Sequence, residues 1–418
     1  MTLAIFIVPG AVLVLCFGLV GKSGSTAFTA TYLIATTVAL ALLGTRHLYN
    51  SLVLPDFLFL GLVATIVAST FANGITAQPS ECVLLGLSLA AYMACRSVTA
   101  SDIAGARWSL VAVAGLIVCA GTLATTWALV DQWDHPHGKP MVFGFSNAAG
   151  SYFLQLAGFL IFALVTTDRL STVKAVRAAF LFVCPFAVFA ASLVRSQFIA
   201  IACTLLVSTA FSRAHARRVI LIMMMSMVVG GSAGLLLRSA KTFQFIKYAI
   251  DPGPPTAREM RRSNDPLSPP SCRAALNLDN SIEVRRALIG DAFAFLRDHL
   301  PIVGSGLDSF MNYSCISEHQ VHNSFLQALV EFGWLGGLLL IGLTGTCLWS
   351  VAIAAKGDES ARFILCCLVF ILLLSLAHGR LSRDATLFAF LGCSAGLWRA
   401  RARAHRVSAA PAVSVRSV

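Results

Sequence analysis

Long runs of apolar residues separated by short polar loops occupy most of the chain. A run of about 17 to 22 apolar residues is long enough to cross a bilayer as a helix. The sequence predicts twelve such spans, beginning near residues 2, 25, 53, 80, 108, 145, 178, 196, 219, 333, 361 and 384. The expected fold is therefore an all-α transmembrane bundle of about twelve spans.

One stretch departs from this pattern, because residues 238–322 are polar and rich in proline. The chain then divides into spans 1–9 (residues 1–237), a large loop (238–322), spans 10–12 (323–398) and a basic tail (399–418). Within the loop, residues 281–299 repeat apolar positions with helical spacing, which predicts a partly helical loop. The apolar face of this predicted helix contains Val284, Leu288, Ala292, Phe295 and Leu296.

Composition supports a membrane protein, with 57% hydrophobic and 12% charged residues. With the N-terminus in the cytoplasm, the basic residues outside the long loop concentrate in the inward loops and in the tail, as the positive-inside rule requires. We therefore expect a multi-pass membrane protein with both termini cytoplasmic and residues 238–322 facing outward. The first span lacks the basic start and cleavage site of a signal peptide, so we expect it to be retained.

The net charge of +12 follows mainly from this topology. The arginines are spread over separate loops, which favours contact with anionic membrane lipids and argues against nucleic acid as a partner. Most cysteines lie in apolar spans, but Cys272 and Cys315 fall in the periplasmic loop, where an oxidising compartment allows a disulfide. The cysteine spacings do not match a zinc site.

Three further polar positions stand out among the spans. Asp56 lies near the inner end of the third span, and we interpret it as an interfacial charge. The outward loop 131–139 holds two carboxylates, two histidines and Trp133; it resembles a lid or substrate-contacting loop more than a metal site, because its histidines lack regular spacing. Arg195 lies at the outer boundary between two apolar runs, where it either binds an anion or extends its guanidinium to the interface.

His322 lies where the polar loop returns to apolar sequence. Ser324 followed by Gln327 is typical of a capping box, which predicts a helix beginning near Phe325 with His322 just before it. Partial positive charge at a helix start disfavours protonation of the ring, so a neutral, proton-accepting imidazole is expected. The alternative is an interfacial histidine with a satisfied hydrogen bond. Ahead of it, Gly304 and Gly306 supply a tight chain reversal; Gly304-Ser305-Gly306 has no preceding strand and is not interpreted as a phosphate loop.

Three pieces of the sequence together resemble the O-antigen ligase and polysaccharide polymerase superfamily. The first piece is His322-Asn323 followed, after nine residues, by Gly333-x-x-Gly336. The second is an arginine fifteen residues before the turn Pro301-x-x-Gly304-x-Gly306. The third is Arg195, at the outer junction of two spans. The spacing to Pro301 favours Arg286 for the second piece, while Arg285 remains an open alternative. The resemblance covers residues 190–345, and it departs from the family at Val194-Arg195-Ser196 and at Gly290.

This resemblance implies a membrane glycosyltransferase of the GT-C type in a bacterial inner membrane, acting at the periplasmic face without a metal, nucleotide sugar or cofactor. The donor would be a glycan on undecaprenyl diphosphate. Arg195 and Arg286 would neutralise the diphosphate, and His322 would act as the base. Other substrate-binding candidates are Arg285, Asn323, Gly304 and Gly306. A ligase would use a lipid A-core acceptor and a polymerase a second lipid-linked glycan. The ligase is preferred, and a lipid-linked oligosaccharide transporter is disfavoured because the polar residues collect at the outer boundary.

Overall fold

The computed structural model shows a helical protein in which fourteen α-helices can be described. It describes residues 52–97, 100–133, 140–142, 145–146, 148–168, 170–250, 269–272, 276–277, 280–299, 302–316 and 319–409. The helices are α1 (Leu54–Asn73), α2 (Pro79–Arg96), α3 (Ala100–Asp131), α4 (Ala148–Val165), α5 (Thr172–Ala191), α6 (Ser196–Phe211), α7 (Ala214–Leu237), α8 (Ser239–Ile250), α9 (Ser281–His299), α10 (Phe310–Tyr313), α11 (Ser324–Glu331), α12 (Gly333–Ala355), α13 (Glu359–His378) and α14 (Ala385–Ala409). Two-residue strands β1 (Met141–Val142) and β2 (Phe145–Ser146) pair antiparallel between α3 and α4. Short 3-10 helices occupy Pro270–Cys272 and Leu381–Arg383.

The all-helical prediction is confirmed, and six described helices are long and apolar enough to cross a membrane: α1, most of α3, α5, α7, α12 and α13. Two shorter apolar helices lie within α4 and α6. The first two predicted spans lie outside the described residues. The other ten predicted spans coincide with helices, while a total of twelve membrane crossings stays a prediction.

Glycines allow helices α5 and α7 to pair closely. A Cβ on Gly230 would lie 2.5 Å from the carbonyl oxygen of Val183, and one on Gly234 would lie 2.0 Å from that of Ala187. The two backbones therefore approach more closely than any side chain at these positions would allow. This small-xxx-small arrangement is typical of helices that associate in lipid, where van der Waals contact replaces hydrophobic burial as the driving force.

Ion pairs bind the helices at the end of the bundle opposite to His322. Arg96 pairs with Asp56, which also accepts a hydrogen bond from Tyr92 at 3.0 Å. The assignment of Asp56 as an interfacial charge is wrong, because its side chain is only 2% exposed and is enclosed by α2. At the same end, Arg107 pairs with Glu359 at 2.9 Å and Arg362 with Asp168 at 2.7 Å.

A small lobe with its own hydrophobic core covers the other end of the bundle, and it is built mainly from the predicted periplasmic loop. Helix α9 occupies the predicted range, and its predicted apolar face is buried, so both predictions are confirmed. A disulfide joins Cys272 to Cys315, as expected for an oxidised loop. Next to it, Asp291 accepts hydrogen bonds from the Ser271 backbone and the Ser314 hydroxyl, both at 2.9 Å. The lobe core contains Leu276, Val284, Leu288, Ala292, Phe295, Leu296, Phe310, Ile316, Val321, Leu326 and Val330.

Candidate functional site

His322 lies at the seam between this lobe and the bundle, immediately before α11. Val321 is buried in the lobe core, and the Asn323 side chain caps α11 by accepting hydrogen bonds from the backbone N–H groups of Phe325 (3.1 Å) and Leu326 (3.0 Å). The predicted Ser324 cap is wrong by one residue. Asparagine is as good an N-cap as serine, and the Ser324 hydroxyl instead donates to Asp384, a long-range contact that leaves no local sequence signal.

The His322 imidazole is half-buried, and its pKa is lowered to about 4. Burial is the largest cause, followed by the positive charge of Arg285, His319 and then Arg380. The sequence predicts a neutral imidazole because of the partial positive charge at a helix start. In the structure, the charged ring is disfavoured for different reasons, namely the loss of water on burial and the neighbouring cations. His322 also has a φ of 54°, an uncommon backbone conformation for a residue with a side chain.

Of the two neighbouring α9 arginines, Arg285 is the one whose charge acts on His322. It is half-buried on α9, and burial lowers its pKa, although an arginine remains charged at neutral pH. Arg286, which the sequence spacing favours, is the next residue along α9 and is exposed. Consecutive helical residues point about 100° apart, so the two guanidinium groups leave α9 in different directions.

Arg195 occupies the corner between α5 and α6, at the N-cap of α6. It is half-buried, and burial lowers its pKa. Helix α6 runs antiparallel to α13, because Ser208 bonds to Cys366 while Ile201 and Phe370 flank the same glycine, Gly158. This alignment places Arg195 at the end of the bundle where α13 finishes, the end that also carries Arg380 and His322. Arg195 thus lies at the boundary between two apolar helices, while its outward position and its role in binding an anion stay predictions.

Gly304 and Gly306 belong to a turn that locks the lobe onto the bundle. Both have positive φ, at 80° and 95°, and the backbone N–H of Gly306 donates to the carbonyl of Glu331 at 3.0 Å. A Cβ on Gly304 would lie 2.3 Å from that carbonyl oxygen. The Asn73 amide at the end of α1 donates to the Gly304 carbonyl at 3.1 Å. The contacts of these glycines are thus with other parts of the backbone and with α1; Pro301, which opens the motif, lies outside the described residues.

Gly333, in the motif that follows His322, packs against the same turn, and we call this contact between the turn and the α11–α12 joint the interlock. Gly333 joins α11 to α12 with a φ of 77°, and a Cβ there would lie 2.1 Å from the carbonyl oxygen of Ile302. The two glycine motifs of the family pattern therefore pack directly on each other. The group that approaches Gly333 closely is the backbone of the Ile302–Gly306 turn.

A buried polar cluster next to His322 was missed by the sequence analysis. Asp308 accepts hydrogen bonds from Gln320 at 2.6 Å and from Arg380 at 3.0 Å, and Arg380 also lies 3.6 Å from Glu81. Burial raises the pKa of Glu331 to about 8, and its carboxyl accepts a hydrogen bond from Gln327 at 2.9 Å. In the sequence, Arg380 and Arg383 stand out only as basic residues of a short loop between two apolar spans, so they do not indicate this cluster.

The outward loop after α3 is described only in part. Arg238 lies over the ring of Trp133, 5.3 Å from its centroid, and donates to the Trp133 carbonyl at 3.2 Å. Asp134–Lys139 lie outside the described residues, so the prediction of a lid or substrate-contacting loop stays a prediction. Among the described residues, no group of three or more histidine, cysteine, aspartate or glutamate side chains is arranged to hold a metal ion.

Comparison with known families places this site within a matched segment. The sequence model of a family described as O-antigen ligase matches residues 178–341, which is less than half of the 418 residues. No curated protein matches the chain. The matched segment contains Arg195, Arg285, Arg286, Gly304, Gly306 and His322. The family match therefore confirms the resemblance to O-antigen ligases found in the sequence, and together with the apolar helices it indicates a multi-pass membrane protein.

Proposed function

We propose that this protein is an O-antigen ligase that transfers a glycan from undecaprenyl diphosphate to a hydroxyl of a lipid A-core acceptor. The proposal rests on the half-buried imidazole of His322, whose pKa is lowered by burial and by the positive charge of Arg285, within the segment that matches the ligase family. A proton acceptor next to a cation suits transfer from a diphosphate, because a hydroxyl must lose its proton while an anionic group departs.

In the proposed mechanism, the arginines hold the leaving diphosphate. Arg195 and Arg285 supply guanidinium groups at the same end of the bundle as His322, and a guanidinium can bind two phosphate oxygens at once. Arg286 remains a second candidate on α9. We further propose that this cationic set replaces a divalent metal in stabilising charge on the leaving group.

His322 is the proposed general base. The acceptor oxygen attacks the anomeric carbon while the imidazole takes the hydroxyl proton; the bond from the anomeric carbon to the phosphate oxygen breaks, and undecaprenyl diphosphate leaves. Attack opposite to the leaving group inverts the anomeric configuration. General base catalysis of this kind contributes about 10²- to 10⁴-fold to the rate.

We place the reaction at the periplasmic face of a bacterial inner membrane, with both termini in the cytoplasm. The distribution of basic residues supports this orientation. The Cys272–Cys315 disulfide also supports it, because disulfides persist in the periplasm and are rare in the cytosol.

A polysaccharide polymerase is the second candidate, since the same site would serve an acceptor that is itself a lipid-linked glycan. The decisive experiment reconstitutes the purified protein with lipid-linked glycan and offers either lipid A-core or additional donor as acceptor. A product on lipid A-core supports the ligase, and a lengthened lipid-linked glycan supports the polymerase. Movement of intact donor across the membrane without transfer would overturn both in favour of a transporter.

A further inference from the structure

Asp308 is a buried carboxylate that the proposed mechanism does not use. It is 4% exposed and has a φ of 63°, a conformation that disfavours most side chains other than asparagine and aspartate. The turn that carries it is fixed on both sides, because Ser305 and Gly306 bond to the end of α11 and Thr76 donates to the Leu307 carbonyl at 2.5 Å. Its carboxylate is thus presented from a rigid support.

One oxygen of this carboxylate, Oδ1, joins two other segments. It accepts a hydrogen bond from the Gln320 amide at 2.6 Å, and Gln320 lies two residues before His322. The same oxygen accepts a charge-assisted hydrogen bond from Arg380, in the α13–α14 loop, at 3.0 Å. Both partners are largely enclosed, with Gln320 3% exposed and the Arg380 side chain 24% exposed.

The segment leading to His322 needs such an anchor. His322 itself adopts a positive φ, so the chain there is held in a conformation that an unrestrained segment would leave. Asn323 fixes the segment on its C-terminal side by capping α11, and Val321 fixes it by burial. The Gln320–Asp308 hydrogen bond fixes its N-terminal side.

We propose that Asp308 is a positioning residue for His322, which holds the imidazole-bearing segment through Gln320 and fixes Arg380 beside it. This inference rests on the proposed role of His322 as the base. Among the described residues, the charged or titratable groups that act on His322 are Arg285 from α9, His319 from its own segment and Arg380 from the α13–α14 loop. Asp308 fixes one of these cations directly.

The test is a kinetic comparison of graded variants in the reconstituted enzyme. Asp308→Gly removes the carboxylate while tolerating the positive φ, and Asp308→Asn retains an acceptor oxygen but loses the charge. We expect kcat to fall at least about 10-fold in Asp308→Gly and less in Asp308→Asn, with the KM for the lipid-linked donor within about threefold of wild type, because a displaced base impairs the chemical step more than binding. Gln320→Met, which breaks only one link, is expected to lower kcat as well.

Controls separate this inference from the proposed function. Asp298→Asn makes the same chemical change at an exposed α9 residue, 42% exposed, and is expected to keep wild-type kinetics. Wild-type kcat in folded Asp308→Gly or Gln320→Met, or a raised KM with unchanged kcat, overturns the positioning role. If Asp308→Gly fails to fold, the Gln320→Met result decides. Full activity in His322→Ala would instead overturn the proposed base and this inference with it.

Discussion

At the scale of single residues, the environment of His322 determines the pH at which the proposed base works. An imidazole with a pKa of about 4 is neutral over the whole physiological range, whereas an ordinary histidine is protonated below about pH 6.5. The base form is lost only as the pH falls through its folded-state pKa. Between pH 6.5 and 4 the unfolded chain also binds more protons at this residue, so this histidine makes folding less favourable as the pH falls across that window.

The pH profile of kcat/KM tests this environment. We expect its acidic limb near pH 4 in the wild type, and we expect Arg285→Ala to move the limb towards pH 6.5, because the Arg285 charge helps to lower the His322 pKa. Arg297→Ala, which removes an exposed arginine from the same helix, is the matched control and should leave the limb in place. A wild-type limb near 6.5 would contradict the assigned environment.

The two neighbouring arginines of α9 differ enough to be separated by mutation. Arg285 is half-buried beside His322 and Arg286 is exposed, so we expect Arg285→Ala to reduce glycan transfer at least about 10-fold and Arg286→Ala to reduce it less. Arg285→Lys should restore activity only in part, because an ammonium cannot bind two phosphate oxygens as a planar fork. Initial rates of glycan transfer show which variant loses more activity. A larger loss in Arg286→Ala would favour Arg286, as the sequence spacing does.

Some residues of the candidate site could be predicted from local sequence motifs, but the residues that fix their positions could not. Arg195, His322 and the glycine pairs follow from local motifs, since each motif is contiguous in sequence. Asp308 and Arg380 bond across 72 positions, and Ser324 and Asp384 across 60, so no local pattern reveals either pair. The choice between Arg285 and Arg286 depends on the rotation of α9 against the lobe core, which a motif spacing does not define.

At the scale of elements, the turn Ile302–Gly306 and the α11–α12 joint pack directly against each other. Gly304→Ala is expected to destabilise the protein by roughly 1–2 kcal/mol from the backbone conformation alone. Overlap with the Glu331 carbonyl adds to that loss and shifts the segment next to His322, so activity should fall as well. Thermal unfolding in detergent and the transfer rate measure the two effects.

Gly290→Ala provides the matched control for this substitution. Gly290 lies inside α9, and an added Cβ there has nothing within 4 Å. Alanine in a helix interior is favoured over glycine by roughly 0.5–1 kcal/mol, so this variant should be at least as stable as the wild type and fully active. Equal losses in Gly290→Ala and Gly304→Ala would contradict the interlock.

The helices themselves were easier to predict than their connections. Apolar run length and the helical periodicity of residues 281–299 depend on nearby residues only, and the corresponding helices are present. The burial of Asp56 was not predictable in this way, because it depends on Arg96 and Tyr92 of the next helix enclosing a carboxylate that sequence alone places at a membrane boundary.

At the scale of the whole molecule, ion pairs between distant helices close the bundle at both ends. Glu81 of α2 forms an ion pair with Arg383 of the α13–α14 loop. At the opposite end, Arg107 of α3 forms an ion pair with Glu359 of α13. A buried charge that loses its partner is strongly destabilising, which makes these pairs effective restraints on the relative position of the helices.

The proposed orientation of the two ends is testable by labelling. Ile302 in the lobe is 77% exposed, and Lys356 lies exposed between α12 and α13 at the opposite end. In intact spheroplasts, a membrane-impermeant maleimide should label Ile302→Cys, whereas Lys356→Cys should react only after permeabilisation. The chain without either added cysteine supplies the background, and the reverse labelling pattern would contradict a periplasmic site.

The interlock between the turn and the α11–α12 joint also constrains when the site can form during biosynthesis. Ser69, Asn73 and Thr76 lie near the start of the described chain, yet their hydrogen-bond acceptors are the backbone carbonyls of Glu331, Gly304 and Leu307. More than two hundred and fifty residues must therefore be synthesised after Ser69 before α1 can form its hydrogen bond to the Glu331 carbonyl. Chains that terminate ahead of α12 lack the joint on which the turn rests, so they cannot assemble the seam that carries His322.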